Sequence, residues 1–171
     1  MGFFGKEKIT FDQLASGLAD MVLRSIPDAQ LEPYRILLKS MKEEDVIDEG
    51  QKREILVLEM LAATRAVSVV FSDSNISKEI LDEFHAKIYD KVCQSNKEQI
   101  DFEKFVNNRY RTYYEILGSG SENMMFFFGK QFVDYFLKKD LKGASLALIT
   151  SSAEFFASNT KTLVEFLKSV T

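Results

Sequence analysis

Apolar residues recur at steps of three and four along most of this chain, which is the spacing of one face of an α-helix. The first stripe follows Thr10, which with Gln13 has the spacing of a helix-capping box, and it ends before Pro27. A second, shorter helix is predicted from Pro33, because the missing amide of proline costs nothing in the first turn. The chain is therefore expected to start with two helices.

A third helix is predicted over residues 48–72, and its pattern differs from that of the first two. Apolar residues occupy much of its circumference, above all in segments 55–58 and 66–71. A helix that is apolar on several sides is buried on several sides. We therefore expect the third helix at the centre of the fold.

The remaining stripes predict up to four more helices. They are a fourth helix capped by Ser77 and running to about residue 95, a fifth from 98 or 102 to 117, a sixth over 122–138, and a last one from 141–144 to nearly 171. The sixth helix contains the run Met124, Met125, Phe126, Phe127 and Phe128, which is more than one core-facing stripe absorbs. This run is expected to be buried on several sides or to form an interface.

These elements define an expected fold. No alternating strand pattern and no internal repeat is visible, and 15 Phe and 6 Met stand against only 8 Gly and 2 Pro. The sequence predicts an all-α, single-domain bundle of six or seven helices over residues 10–171, with a buried Phe- and Met-rich helix near the C-terminus. Residues 1–9 are expected to be a flexible or docked N-terminal segment that is neither a signal peptide nor a myristoylation site.

Charge and composition exclude several partners. The 22 Lys and Arg against 26 Asp and Glu give a net charge of -4, which argues against a general nucleic-acid binder. No apolar stretch reaches the ~18 to 20 residues of a membrane span, so no stable membrane insertion is expected. The single Cys cannot form an intrachain disulfide, and we expect the protein in the cytoplasm.

Motifs for common chemistries are missing. The chain has no phosphate-binding Gly loop, dinucleotide fingerprint or HExxH helix, so no catalytic residue and no cofactor is predicted. Asp82 and His85 have the spacing of half a di-iron site, but a second His is missing and no metal site is expected. His85 is interpreted as lying on a solvated helix edge, and Cys93 as an inert thiol.

Two charged residues fall on faces that ought to be buried. Glu59 projects among apolar residues of the third helix, whereas Glu54 and Arg65 project onto its solvent edge; Arg109 projects onto the apolar face of the fifth helix. Because a lone buried ion is costly, we expect Glu59 and Arg109 to pair across two packed helices. In the alternative interpretation they anchor a ligand, in a binding site that would also include Tyr113, Phe126 and Phe127.

Three hypotheses about function follow. The leading hypothesis is a non-enzymatic helical interaction module of unknown biological process that self-associates as a homodimer or binds another protein, because aromatic residues and Met are enriched in interface cores. The alternative is a carrier or sensor that holds an apolar small molecule between helices. A cofactor-free active site around Glu59 and Arg109 is a third hypothesis, which no motif favours.

Overall fold

Seven helices account for most of the residues that the computed structural model describes, which are 9–24, 31–40, 46–138 and 146–171. They are α1 (Phe11–Leu23), α2 (Glu32–Ser40), α3 (Glu49–Val70), α4 (Ser74–Val92), α5 (Asn96–Leu117), α6 (Met124–Leu137) and α7 (Leu146–Val170). The described part of the chain holds no strand. The helices pack into one all-α bundle, as the apolar spacing predicts.

Side-chain caps fix where helices begin. The Thr10 hydroxyl accepts a hydrogen bond from the Gln13 amide at 3.2 Å, while the Gln13 side chain accepts one from the Thr10 amide at 2.8 Å, so the predicted capping box is confirmed. Asp48 and Gln51 form the same arrangement at the start of α3. Each box satisfies amides that would otherwise lack a partner.

Some predicted boundaries differ from the observed ones. α4 starts one turn before Ser77, because the Asp73 carboxylate accepts from the Asn75 amide at 2.8 Å and is the true cap. Ser77 instead donates its hydroxyl to the Phe71 carbonyl at 2.6 Å. The predicted end of the first helix at Pro27, the predicted start of the last helix at 141–144 and nearly all of segment 1–9 lie outside the described residues.

α3 is the central helix, as its pattern predicts. It packs most extensively against α7 and also contacts α1, α4, α5 and α6. Thirteen of its residues are buried, among them Glu54 and Glu59. The low charge and all-round apolar surface of its middle turns explain this position.

α6 and α7 cross at close range. A Cβ atom placed on Gly129 of α6 would lie 2.2 Å from the carbonyl oxygen of Ile149 on α7, so only the missing side chain permits this approach. A ring contact extends the packing of these two helices, with Phe128 and Phe156 4.4 Å apart between centroids. The crossing holds the first turn of α6 beside the first turns of α7.

Candidate functional site

Arg109 is paired inside the bundle, but with a residue other than the predicted one. Its Nη2 atom donates to Oε1 of Glu54 at 2.6 Å, and its Nε atom donates to Oε2 at 2.9 Å. The two side chains are 17% and 6% exposed. The prediction of a Glu59–Arg109 pair is therefore wrong, and so is the prediction that Glu54 lies on a solvent edge. α3 is buried around most of its circumference, so a helical projection could not tell which carboxylate faces α5.

A cleft lined by charged and aromatic side chains surrounds this ion pair, between α3, α5 and α6. It has a volume of about 690 Å³ and is called the Arg109 cleft below. The Arg109 guanidinium carbon lies 3.6 Å from the ring centre of Tyr135 and 4.6 Å from that of Phe105. Besides these three residues and Glu54, the cleft is lined by Gly50, Arg53, Gln131, Asp134 and Lys138.

Ion pairs bridge the helices at the edge of the Arg109 cleft. Lys138, which follows α6, donates to Asp48 at 2.7 Å, and this hydrogen bond holds the pKa of Asp48 below its ordinary value. Arg53 of α3 donates to Glu98 of α5 at 3.3 Å, and within α6 Lys130 donates to Asp134 at 2.6 Å. Apart from the Glu54–Arg109 pair, the charges at the cleft are at least partly open to water.

Glu59 lies elsewhere, in the contact between α3 and α7. The residue is 4% exposed, and its carboxylate accepts a hydrogen bond from the Asn159 side chain at 2.7 Å. Burial raises the pKa of Glu59 to about 7, against an ordinary value of 4.5, and the Asn159 hydrogen bond offsets part of that rise. The described residues provide no cation within salt-bridge distance of Glu59. Glu59 is therefore a buried acid with no counter-ion among the residues that the structure describes.

Tyr113 is a core residue behind the Arg109 cleft. Its ring lies 4.9 Å from that of Phe128, and its buried hydroxyl has no hydrogen-bond partner in the part of the chain that the structure describes. Burial, followed by the Glu54 carboxylate, raises the pKa of Tyr113 well above its ordinary value. Tyr113 therefore lies near Glu54 and Arg109, but it does not line the cleft.

Phe126 and Phe127 are at the surface. They are 39% and 48% exposed, and their rings contact each other edge-on at 5.8 Å, whereas Phe128 is fully buried. The expectation of a buried Phe- and Met-rich helix therefore holds for the later turns of α6 but not for its first turn. An apolar groove of about 330 Å³, called the α6–α7 groove below, is lined here by Met125, Phe126, Thr150, Ala153, Glu154 and Ala157.

The predicted site residues thus occupy three places: Glu59 lies in the α3–α7 contact, Arg109 lines the cleft with Tyr113 buried behind it, and Phe126 and Phe127 lie on the surface. The helical projection of α3 did not identify Glu54 as a site residue. Tyr135, in the last turn of α6, was also missed, and its position relative to Arg109 carries no sequence signal because the two residues are on different helices.

His85 is half-buried, which corrects the interpretation of a solvated edge. Its Nδ1 atom lies 2.7 Å from the Leu81 carbonyl, which can only accept, and its Nε2 atom lies 3.1 Å from the Tyr110 hydroxyl. Burial lowers the pKa of His85. Burial raises the pKa of the half-buried Cys93 thiol. A thiol that is less readily deprotonated is a weaker nucleophile.

The described residues contain no group of three or more His, Cys, Asp or Glu side chains arranged to hold a metal ion. Among the helices described, none has both the length and the apolar character needed to cross a bilayer. No protein-family model, curated protein or solved structure to which the chain was compared gave a match.

Proposed function

We propose that this protein is a non-enzymatic helical interaction module that self-associates through the α6–α7 groove. The observation that carries the proposal is the exposure of two neighbouring rings, Phe126 and Phe127, beside an apolar groove. Large rings are costly to leave in water, and exposed apolar patches are typical of interaction surfaces. Aromatic residues and Met are also enriched in interface cores.

The energy available from this surface is substantial. Covering the exposed part of each ring removes on the order of 80–100 Å² from water, which is worth ~2 kcal/mol per ring. In a two-fold dimer the same rings contribute from both copies, so the gain is doubled. That gain must offset the loss of translational and rotational freedom on association.

The chemistry of the groove favours a second copy of this chain as the partner. Its lining carries one charged residue, Glu154, so it offers little for a strongly charged partner to pair with. An apolar face that meets its own copy across a two-fold axis is complementary to itself without any charge match. We further propose a cytoplasmic location, because the one Cys in the sequence cannot form an intrachain disulfide.

The carrier hypothesis has less support. The Arg109 cleft is large enough for a small molecule but is lined by charged side chains, which disfavour an apolar ligand. The α6–α7 groove is apolar but open at the surface, where a flat protein partner covers the rings more fully than a small ligand would.

Sedimentation velocity over a range of concentrations tests the proposal. The wild-type protein should sediment as a dimer at the higher concentrations, and Phe127→Asp should sediment as a folded monomer, because a carboxylate at the interface would be buried without a partner. Ile100→Asp is the matched control: Ile100 is 51% exposed on α5, away from the groove, and this variant should still dimerise. A strict wild-type monomer at high micromolar concentration, or equal dissociation of both variants, would contradict the proposal.

A further inference from the structure

We propose that the Arg109 cleft binds a small molecule through an oxyanion, either a carboxylate or a phosphate group, and that Arg109 makes the principal contact. This site is separate from the α6–α7 groove and does not depend on self-association. Three features carry the inference: the unused donors of Arg109, the rigid support of its guanidinium, and the cations at the cleft edge.

Arg109 keeps hydrogen-bonding capacity that the protein does not use. A guanidinium has five N–H donors, and the bonds to Glu54 use the Nε proton and one Nη2 proton. The two Nη1 protons and the second Nη2 proton have no acceptor among the described residues. Of these protons, the second Nη2 proton and one Nη1 proton lie along the Nη1–Nη2 edge, which matches the two oxygens of a carboxylate or phosphate.

The guanidinium is held in place without a ligand. Glu54 is buried and bonds along the adjacent Nε–Nη2 edge, which fixes the plane of the group. Contacts with the rings of Tyr135 and Phe105 restrict it further. A binding group that is already ordered loses little entropy when its ligand arrives, so such support favours affinity.

Two more cations line the cleft, Arg53 and Lys138. Their present partners, Glu98 and Asp48, have side chains that are 34% and 52% exposed. Exposed ion pairs are weak, so an arriving oxyanion can compete for these cations. The acidic groups of the lining are occupied, since Glu54 is bonded to Arg109 and Asp134 accepts from Lys130.

The size and walls of the cleft indicate the kind of ligand. Its volume falls within the ~300 to 1,000 Å³ of typical small-molecule sites. The Tyr135 and Phe105 rings give an apolar wall beside the charged floor. A ligand with one anionic head and a small, partly apolar body fits both surfaces.

Isothermal titration calorimetry at constant ionic strength tests the proposal, with inorganic phosphate and succinate as separate probes and chloride as the reference anion. We expect saturable binding of at least one probe, and the stronger probe identifies which oxyanion the cleft prefers. Lys138→Gln should weaken that binding at least threefold. The control Lys78→Gln, which also removes a cation from an exposed ion pair but lies on α4, should leave binding unchanged.

A second pair of variants tests the role assigned to Arg109. Arg109→Lys keeps the charge but loses the two-donor edge, and it should weaken binding at least tenfold. If Arg109→Lys does not fold, Gln131→Glu serves instead, because it places a negative charge at the half-buried edge of the cleft and should abolish binding. Absence of saturation for both probes up to about 10 mM would overturn the proposal. Binding that survives Lys138→Gln and Gln131→Glu unchanged would do the same.

Discussion

Glu54 and Glu59 are two buried carboxylates on one helix, and replacing each by Gln should have opposite effects at pH 8. Glu54 has a cationic partner at 2.6 Å, whereas Glu59 accepts a hydrogen bond from the Asn159 amide at 2.7 Å and has no cationic partner among the described residues. Gln keeps the size of Glu and removes its charge. The comparison therefore isolates the value of the counter-ion, and each variant is the matched control for the other.

Glu54→Gln should destabilise the protein strongly. The change strands the Arg109 guanidinium, whose side chain is 17% exposed, without its counter-ion. Removing one partner of a buried pair costs ~3 to 5 kcal/mol, and the partial exposure of Arg109 places the expected loss at the lower end, about 3 kcal/mol. The double change to Glu54→Leu and Arg109→Met should recover part of this loss, because neither charge is then stranded.

Glu59→Gln should stabilise the protein at pH 8. The pKa of Glu59 is about 7 in the folded protein against an ordinary 4.5, so the folded state binds the proton more tightly than the unfolded chain does. The resulting stabilisation is complete below pH 4.5, declines as the pH rises towards 7 and is absent above it. At 1.36 kcal/mol per pH unit the decline is about 3 kcal/mol. The neutral Gln side chain mimics the protonated form of Glu59, so the variant should gain about 1 to 3 kcal/mol over wild type at pH 8 and almost nothing at pH 4.5.

Urea denaturation followed by circular dichroism at both pH values measures these free energies of unfolding. Equal losses for Glu54→Gln and Glu59→Gln at pH 8 would refute the reasoning, because Glu59 would then depend on a counter-ion as Glu54 does. A mild effect of Glu54→Gln would show that Arg109 does not need its partner.

Three further predictions concern local structure. Gly129→Ala should lower the free energy of unfolding by at least about 1 to 3 kcal/mol, because its Cβ would lie 2.2 Å from the Ile149 carbonyl oxygen. An unchanged midpoint in urea denaturation would show that α6 and α7 can move apart at this crossing. Thr10→Ala should cost about 1 kcal/mol in the same assay through loss of the capping box, and Thr10→Ser should cost much less. Neutral His85 should carry its proton on Nδ1, which faces the Leu81 carbonyl, and ¹⁵N chemical shifts of the ring nitrogens would expose the opposite tautomer.

The sequence predicts elements better than it predicts the site, for a physical reason. The capping box of Thr10 and the buried character of α3 are local properties, visible in residue spacing. The partner of Arg109 depends on the rotation of α3 about its axis, and a helix that is apolar around most of its circumference does not fix that rotation. The projection therefore assigned Glu59, instead of Glu54, to the face that meets Arg109.

The structure of the first turn of α6 could be predicted from the sequence only in part. Five large apolar residues in succession indicate that one stripe cannot bury them all, and Phe126 and Phe127 are indeed exposed. Which of the five reach the core depends on the crossing at Gly129, where α7 approaches. The sequence predicts the excess of apolar surface but not its location.

Methyl NMR on protein labelled at Met and Ala tests most directly whether the α6–α7 groove is the self-association surface. On dilution, the methyl signals of Met125, Ala153 and Ala157, which line the groove, should shift together, because they leave the interface as dimers dissociate. The signals of Met60 and Ala66, buried in α3, should stay constant. Shifts confined to other surfaces, or no concentration dependence at all, would contradict the proposed function.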